Sequence, residues 1–321
     1  MESKQKAKRK TRPLKRRQRI SLAAAGLVAA LSMVITGLHA VFPSFPGWDD
    51  LFLAAGLRES ALIAEHVSGF LFVDVGQGDC AVAVGSEAAV MIDAGPGDAA
   101  HRVKDALLEQ GVDRLDALIL THPHEDHIGG AADIIESYPV ETVYLPDGVP
   151  QGETDGDSLD ALLQAAQERQ VDVVRLTESA ELIFGELTLS IYRSPLVSSD
   201  ENETGLLVRA ALPELSVLIT GDAGTDTEYA LMERGDRLDC DILKVGHHGS
   251  KTSTSPAFLR RVAPKAAVIS VGHNSYGHPS ETVTARLVAA EIPYYRTDIN
   301  GTLFFDEHTS FASSAASSSA A

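Results

Sequence analysis

The chain has 321 residues, 44% of them apolar, which exceeds the needs of a small domain and fits one large α/β core of about 240 residues with terminal extensions. Its formal charge is −18, but ten of the 27 bases and one of the 45 acids fall within the first 19 residues, so the remainder carries −27. That remainder repels polyanions at long range and leaves only a local basic patch to bind one; the two cysteines, Cys80 and Cys240, form no CxxC pair and read as buried thiols.

Residues 1–19 form a basic arm. Residues 20–42 follow with 23 positions free of formal charge, matching the roughly 20 that a helix needs to cross a bilayer. The arm then stays cytoplasmic and everything after residue 42 is exported, a single-pass protein of the cell membrane with its globular domain outside. A cleaved signal peptide is the competing reading; the long basic region and long apolar run favour the anchor. Residues 43–68, with Pro43, Pro46 and Gly47, read as a juxtamembrane linker carrying one amphipathic helix.

The globular domain is expected over 69–306. Short Val-, Ile- and Phe-rich runs at 70–75, 80–84 and 89–92, broken by Gly-containing tetrads, read as hairpin strands. A helix (100–110), a buried strand (117–120), a helix (128–137), a strand (143–145) and a helix (158–170) come next. The second half repeats the scheme: strands near 173 and at 181–184, 187–192, 205–210 and 216–220 precede a helix at 225–234. A strand at 242–245, a helix at 256–262, a strand at 266–271, a helix at 282–290 and a strand at 302–305 complete it. Strands followed by strand-helix alternation, twice over, predict two sheets sandwiched between helices, a four-layer αβ/βα arrangement. The tail, 307–321, is almost all Ser and Ala and reads as disordered.

The sharpest chemistry is the run His122, His124, Asp126 and His127, directly after the apolar strand at 117–120. Imidazole nitrogens and a carboxylate suit divalent transition metals, and a turn at a strand end can aim alternate side chains at two neighbouring ions. Four ligands cannot fill two positions, so remote donors are required. Asp222 follows the strand at 216–220 and is placed to bridge; His247 and His248 follow the strand at 242–245, one as ligand and the other facing substrate.

At these residues the chain resembles the metallo-β-lactamase superfamily, and within it the hydrolase domain of the ComEC DNA-uptake proteins. The matching stretches are DVGQGD (74–79), IDAG (92–95), LTHPHEDHIGG (120–130), TGD (220–222), LKVGHHGSKTSTS (243–255) and SVGHNSYGHPS (270–280). The resemblance implies that His122 and His124 bind one metal, Asp126 and His127 the other, that Asp222 bridges, and that His248 is the better second-site ligand. It also implies structural support from Asp93, with Asp74 and Asp79 in the first motif as further supporting residues. Many superfamily members carry one more histidine in between, yet residues 128–246 contain none. The segment 198–205 offers Asp200, Asn202 and Glu203 as oxygen donors instead, which moves preference from zinc towards manganese.

Two divalent metal ions, zinc or manganese, held about 3.5–4 Å apart would activate a bridging hydroxide for in-line attack on a phosphodiester. Asp126 and His278 are the expected catalytic side chains, His278 protonating the leaving oxygen. His247, Ser250, Lys251, Thr252 and Tyr276 are expected at the substrate, with Lys244, Ser253 and Thr254 as additional phosphate contacts. Residues 240–300 hold seven bases and four acids, a local patch for a DNA strand. An envelope or small-molecule esterase, such as a phosphorylcholine esterase or lactonase, and a non-catalytic surface binding module are the alternatives.

Overall fold

The computed structural model describes residues 67–148 and 156–311. The expected arm, anchor and nearly all of the linker lie outside these residues. Among the described residues no helix is long and apolar enough to cross a membrane.

Fourteen strands form two seven-stranded sheets, in the orders β14-β1-β2-β3-β4-β5-β6 and β13-β12-β11-β10-β9-β8-β7. In the first sheet β1 (Gly69–Phe72), β2 (Ala81–Val84) and β3 (Ala89–Ile92) run antiparallel, with β14 (Leu303–Asp306) antiparallel on the outer side of β1. Then β4 (Ala117–Ile119), β5 (Thr142–Pro146) and β6 (Asp172–Leu176) add in parallel. The second sheet mirrors this. Its β7 (Ala180–Phe184), β8 (Leu187–Arg193), β9 (Leu206–Ala211) and β10 (Ser216–Ile219) pair antiparallel, and β11 (Ile242–Lys244), β12 (Ala266–Ile269) and β13 (Tyr294–Arg296) follow in parallel.

The helices are α1 (Ala100–Glu109), α2 (Glu125–Ile128), α3 (Ala131–Ser137) and α4 (Gly156–Arg169) in the first half, and α5 (Glu201–Thr204), α6 (Thr225–Arg234), α7 (Pro256–Val262), α8 (Glu281–Ala289) and α9 (Thr297–Asn300) in the second. Of these, α1, α3 and α4 cover the outer face of one sheet and α6, α7 and α8 that of the other, while α2, α5 and α9 are single turns in loops. The inner strands β1–β4 and β10–β12 are buried on both faces because each sheet is covered twice, whereas the edge strands β6 and β7 are partly exposed. In β1, Phe70 and Phe72 enter the layer between the sheets, against Leu189, Ile191 and Val208, while Leu71 faces the opposite way, beside Val103 and Leu107 of α1. Each such side chain, taken fully out of water, contributes about 1.5–3 kcal/mol.

Local signals set the helix ends. Ser255 and Ser280 cap α7 and α8 by accepting from Phe258 N (3.1 Å) and Val283 N (3.3 Å), and Pro256 occupies the first turn of α7. The four-layer sandwich is the expected fold. Three elements were not foreseen: α5, α9 and β13, a three-residue edge strand that stays half-buried. The expected helix at 128–137 is two helices, α2 and α3, either side of Gly129 and Gly130. Part of the expected disordered tail is ordered, since Phe311 packs on Phe305 with ring centroids 5.9 Å apart. Both cysteines are free and buried.

Candidate metal centre

The chemistry-bearing residues follow the carboxyl ends of parallel strands from both sheets, where α/β folds leave a crevice. Asp93 follows β3, the 121–127 loop follows β4, Asp222 follows β10, His247 and His248 follow β11, and Ser270 follows β12. Backbone bonds lock the loops together: Asp79 N donates to Asp126 O (3.0 Å), Leu206 N to Thr121 O (2.8 Å) and His247 N to Gly221 O (3.0 Å). Gly221 has φ 51° and a Cβ there would lie 2.9 Å from Thr121 Oγ1, so glycine is needed before Asp222.

Three imidazoles are turned the same way. The Thr121 hydroxyl donates to Asp93 Oδ2 (2.8 Å) and therefore accepts from His122 Nδ1 (3.0 Å), leaving His122 Nε2 as an acceptor 3.0 Å from His124 Nδ1. Asp93 Oδ2 also takes the His127 Nδ1 proton (2.8 Å), and the Ser270 carbonyl takes that of His248 Nδ1 (2.9 Å). His127 Nε2 then faces Asp222 Oδ1 at 3.2 Å, and His248 Nε2 faces Asp126 Oδ2 at 3.1 Å and Asp222 Oδ1 at 3.6 Å. This is how ligating histidines are oriented, outer nitrogen tied to an acceptor and inner nitrogen presented. Donor atoms of His122, His127 and Asp222 lie within 4.8 Å of one another, as do those of Asp126, His127 and His248.

Among the described residues His127 Nε2, Asp222 Oδ1 and Asp79 Oδ1 are buried without a hydrogen-bond partner. Native interiors rarely leave such atoms unmatched, and a cation is the group that bare imidazole nitrogen and carboxylate oxygen would share. The residues therefore fit divalent metal. The electrostatics agree: burial opposes ionisation of Asp126 and Asp222, but the surrounding histidines outweigh it and hold both carboxyls well below the usual range. Burial, reinforced by His127, pushes His122 well below the ordinary histidine value. At His127 burial works the same way but loses to Asp222 and Asp93, which raise it.

His247 and His248 both take left-handed backbone, φ 49° and 50°, and such strain, of order 1–3 kcal/mol per residue, concentrates at functional sites. The turn points them differently. His248 is buried, whereas the His247 side chain is 29% exposed, with Nε2 3.5 Å from Asp222 Oδ2 and its ring 5.5 Å from that of His278. Burial, then His247, lowers His278 below the ordinary histidine value. Tyr276 is exposed at the rim beside His278, ring centroids 5.8 Å apart. Asp74 accepts from Gly76 N (3.1 Å) and so shapes the first motif's turn.

Several expected contacts are corrected. Lys244 is no phosphate contact: it is 1% exposed and donates to Asp79. Ser253 and Thr254 are buried and bonded within their own loop, Ser253 Oγ to Gly246 O (2.7 Å) and Thr254 Oγ1 accepting from Gly246 N (3.3 Å). Ser250 is buried and shares a bond with Thr252 Oγ1 (2.9 Å), while Lys251 and Thr252 are exposed. At 198–205 Asp200 caps α5 through Asn202 N (3.1 Å) and Glu203 binds Thr227, Oγ1 at 2.6 Å. Asn202 Oδ1 is buried without a partner among the described residues, and Glu201 adds a further oxygen, its Oε2 3.3 Å from His124 Nε2, itself joined through Nδ1 to His122 Nε2 at 3.0 Å. A helical turn places Glu201 there, and sequence gave no sign of that turn.

A family model described as the metallo-beta-lactamase superfamily matches residues 73–273. The chain is 34% identical over 199 residues to ComE operon protein 3 of Bacillus subtilis (61% of this chain, 25% of that one). It is 30% identical over 294 residues to competence protein ComA of Neisseria gonorrhoeae (89% and 39%), so it spans well under half the length of either relative. The metallo-beta-lactamase fold protein YhfI of Bacillus subtilis superposes with a TM-score of 0.50 at 12% identity, covering 74% of this chain and all of that one, a likeness of fold. With the family model covering most of the domain and the two-sheet sandwich beneath it, the chain belongs to the metallo-beta-lactamase superfamily.

Proposed function

We propose that this metal-dependent hydrolase is a phosphodiesterase that cleaves nucleic acid outside the cytoplasmic membrane, anchored through residues 20–42. The observation that carries the reading is the convergence of the inner Nε2 atoms of His122, His127 and His248 on Asp222 and Asp126. His122, His124 and Glu201 would hold one divalent cation, Asp126, His127 and His248 a second, with Asp222 between them. Cations there would polarise a phosphoryl oxygen and lower the pKa of water, chemistry suited to an unactivated phosphodiester.

The chain's own side chains do the rest. Asp126 stays ionised to accept charge-assisted bonds, and Asp93 and Ser270 keep the imidazoles from rotating. His278 stands at the rim beside His247 with Nδ1 unpartnered among the described residues. Burial and its histidine neighbours keep it neutral near pH 7, and adjacent cations would push it further the same way. A neutral ring suits a hydrogen bond that orients the leaving oxygen better than delivery of a proton. Exposed Lys251 supplies local attraction for a polyanion on an acidic chain, and the resemblance to DNA-uptake proteins points the same way.

The test is hydrolysis of single-stranded DNA, double-stranded DNA and bis(p-nitrophenyl) phosphate by the full chain with added manganese or zinc, and Asp126→Ala as control. Cleavage that needs metal and Asp126 is expected. Absence of metal-dependent cleavage on all three substrates overturns the reading.

A further inference from the structure

Beside the metal centre, on the His122 side, lies a cavity of about 190 Å³ whose walls include His122, Pro123, Arg193, Ser198, Glu201 and Gly205. Arg193 ends β8 and is fixed on three sides: its backbone N donates to Ser179 Oγ (3.0 Å), its carbonyl accepts from Arg234 Nη1 (3.0 Å), and its Nη2 donates to Asp147 O (2.8 Å). Its Nη1 is buried and has no partner among the described residues. Five arginines of the domain, Arg114, Arg209, Arg234, Arg237 and Arg296, lie within 4.0 Å of a carboxylate, whereas half-buried Arg175 and Arg286 have none at that distance among the described residues. Arg193 has no carboxylate at that distance among the described residues. What sets it apart is that buried Nη1, an unmatched donor on a half-buried guanidinium that an anion would satisfy.

The carboxylates near it are otherwise engaged or turned away. Glu201 faces His124 at 3.3 Å, and Asp147 is exposed and meets Arg193 only through its backbone carbonyl. The cavity is smaller than the roughly 300–1,000 Å³ that drug-sized ligands fill, so it takes one compact group. A planar guanidinium already held by one bond loses little freedom on pairing with a tetrahedral oxyanion. Val197, fully exposed and also lining the cavity, gives an apolar contact for the atoms that carry that group.

We propose that this cavity is an anion subsite in which Arg193 binds the phosphate next to the one being cleaved, so that the enzyme acts on chains of phosphodiesters in preference to isolated ones. This rests on the phosphodiesterase reading, and the experiment separates the two. Dithymidine joined by an uncharged methylphosphonate, with or without a phosphate at both ends, is titrated calorimetrically into the metal-loaded full chain. The phosphorylated form is expected to bind at least about tenfold tighter, ~1.4 kcal/mol. Arg193→Gln should cut the preference below about threefold while Arg193→Lys retains most of it, in line with the general worth of a charge-assisted bond.

Should Arg193→Gln fail to fold, phenylglyoxal labelling of Arg193 in the wild-type chain, read by peptide mass spectrometry, gives the same answer: the phosphorylated ligand protects and the other does not. A wild type without preference, a preference that Arg193→Gln keeps, or labelling that both ligands leave equal overturns the subsite. Hydrolysis of bis(p-nitrophenyl) phosphate, with its single phosphate, is measured in parallel on the wild type. Failure of that hydrolysis alongside an Arg193-dependent preference would remove the phosphodiesterase reading and leave the anion site standing.

Discussion

The Lys244 ammonium is sealed against the Asp79 carboxylate beneath the histidine cluster, with 1% of one side chain and 4% of the other exposed. The remaining Asp79 oxygen lies 3.5 Å from His248 Nδ1. A buried pair is costly to break from one side, about 3–5 kcal/mol, because it strands a charge. Lys244→Met should therefore lose stability of that order in urea unfolding of the full chain. The double variant with Asp79→Asn should recover at least about half of it; if the double is as unstable as the single, the stranded charge is not the cause.

Asp93 serves three donors, Thr121 N, Thr121 Oγ1 and His127 Nδ1, from left-handed backbone at φ 57°. Asparagine tolerates that backbone, so Asp93→Asn changes the charge and one acceptor with little strain. Metal affinity in an equilibrium titration should fall about 10–100-fold, the usual cost of losing an orienting carboxylate. Unchanged affinity would mean that His127 is held by packing alone.

The two acids of α5 are expected to separate into a metal role and a structural one. Glu201→Gln, with its carboxylate beside His124, should reduce bound metal by about one equivalent in elemental analysis while leaving the melting temperature of the metal-free chain close to wild type. Glu203→Gln should do the reverse: its carboxylate accepts from Thr227 N (3.2 Å) and Thr227 Oγ1 (2.6 Å), and loss of such bonds costs about 1–3 kcal/mol. Equal metal content in the two variants would remove Glu201 from the centre.

Legibility follows from what each residue depends on. Strands such as β2 and β3 are apolar throughout and bounded by glycine, and α7 starts on Ser255-Pro256, so local sequence is enough to place them. His122, His124, Asp126 and His127 are legible because four donors share one turn. Glu201 is not legible because which of four adjacent polar residues reaches His124 depends on a single helical turn, fixed by Asp200 capping Asn202. Lys244 was misread for the opposite reason: a lysine at a strand end looks solvent-facing until the Asp79 loop, 165 positions earlier, closes over it.

The loop that carries His248 is held from two helices. Glu228 of α6 accepts from Thr254 N through one oxygen and from Ser255 N (2.9 Å) through the other, and Arg286 Nη1 holds Ser253 O (2.8 Å) and Thr254 O (3.2 Å) from α8. Burial dominates and pushes the Glu228 carboxyl from its ordinary 4.5 up to about 7, although both backbone donors and Arg286 pull it down. Between those pH values the native chain keeps a proton that the unfolded chain has released, so native binds more protons and stability falls as pH rises. Below about 4.5 and above about 7 the contribution is flat. At ~1.4 kcal/mol per pH unit the fall reaches about 3 kcal/mol across the window. Glu228→Gln cannot titrate, and it leaves one N–H facing an amide, so it should be less stable at low pH yet lose less between pH 5 and pH 8. Urea unfolding of both proteins at the two pH values reads the difference; parallel losses would mean that Glu228 is ionised throughout.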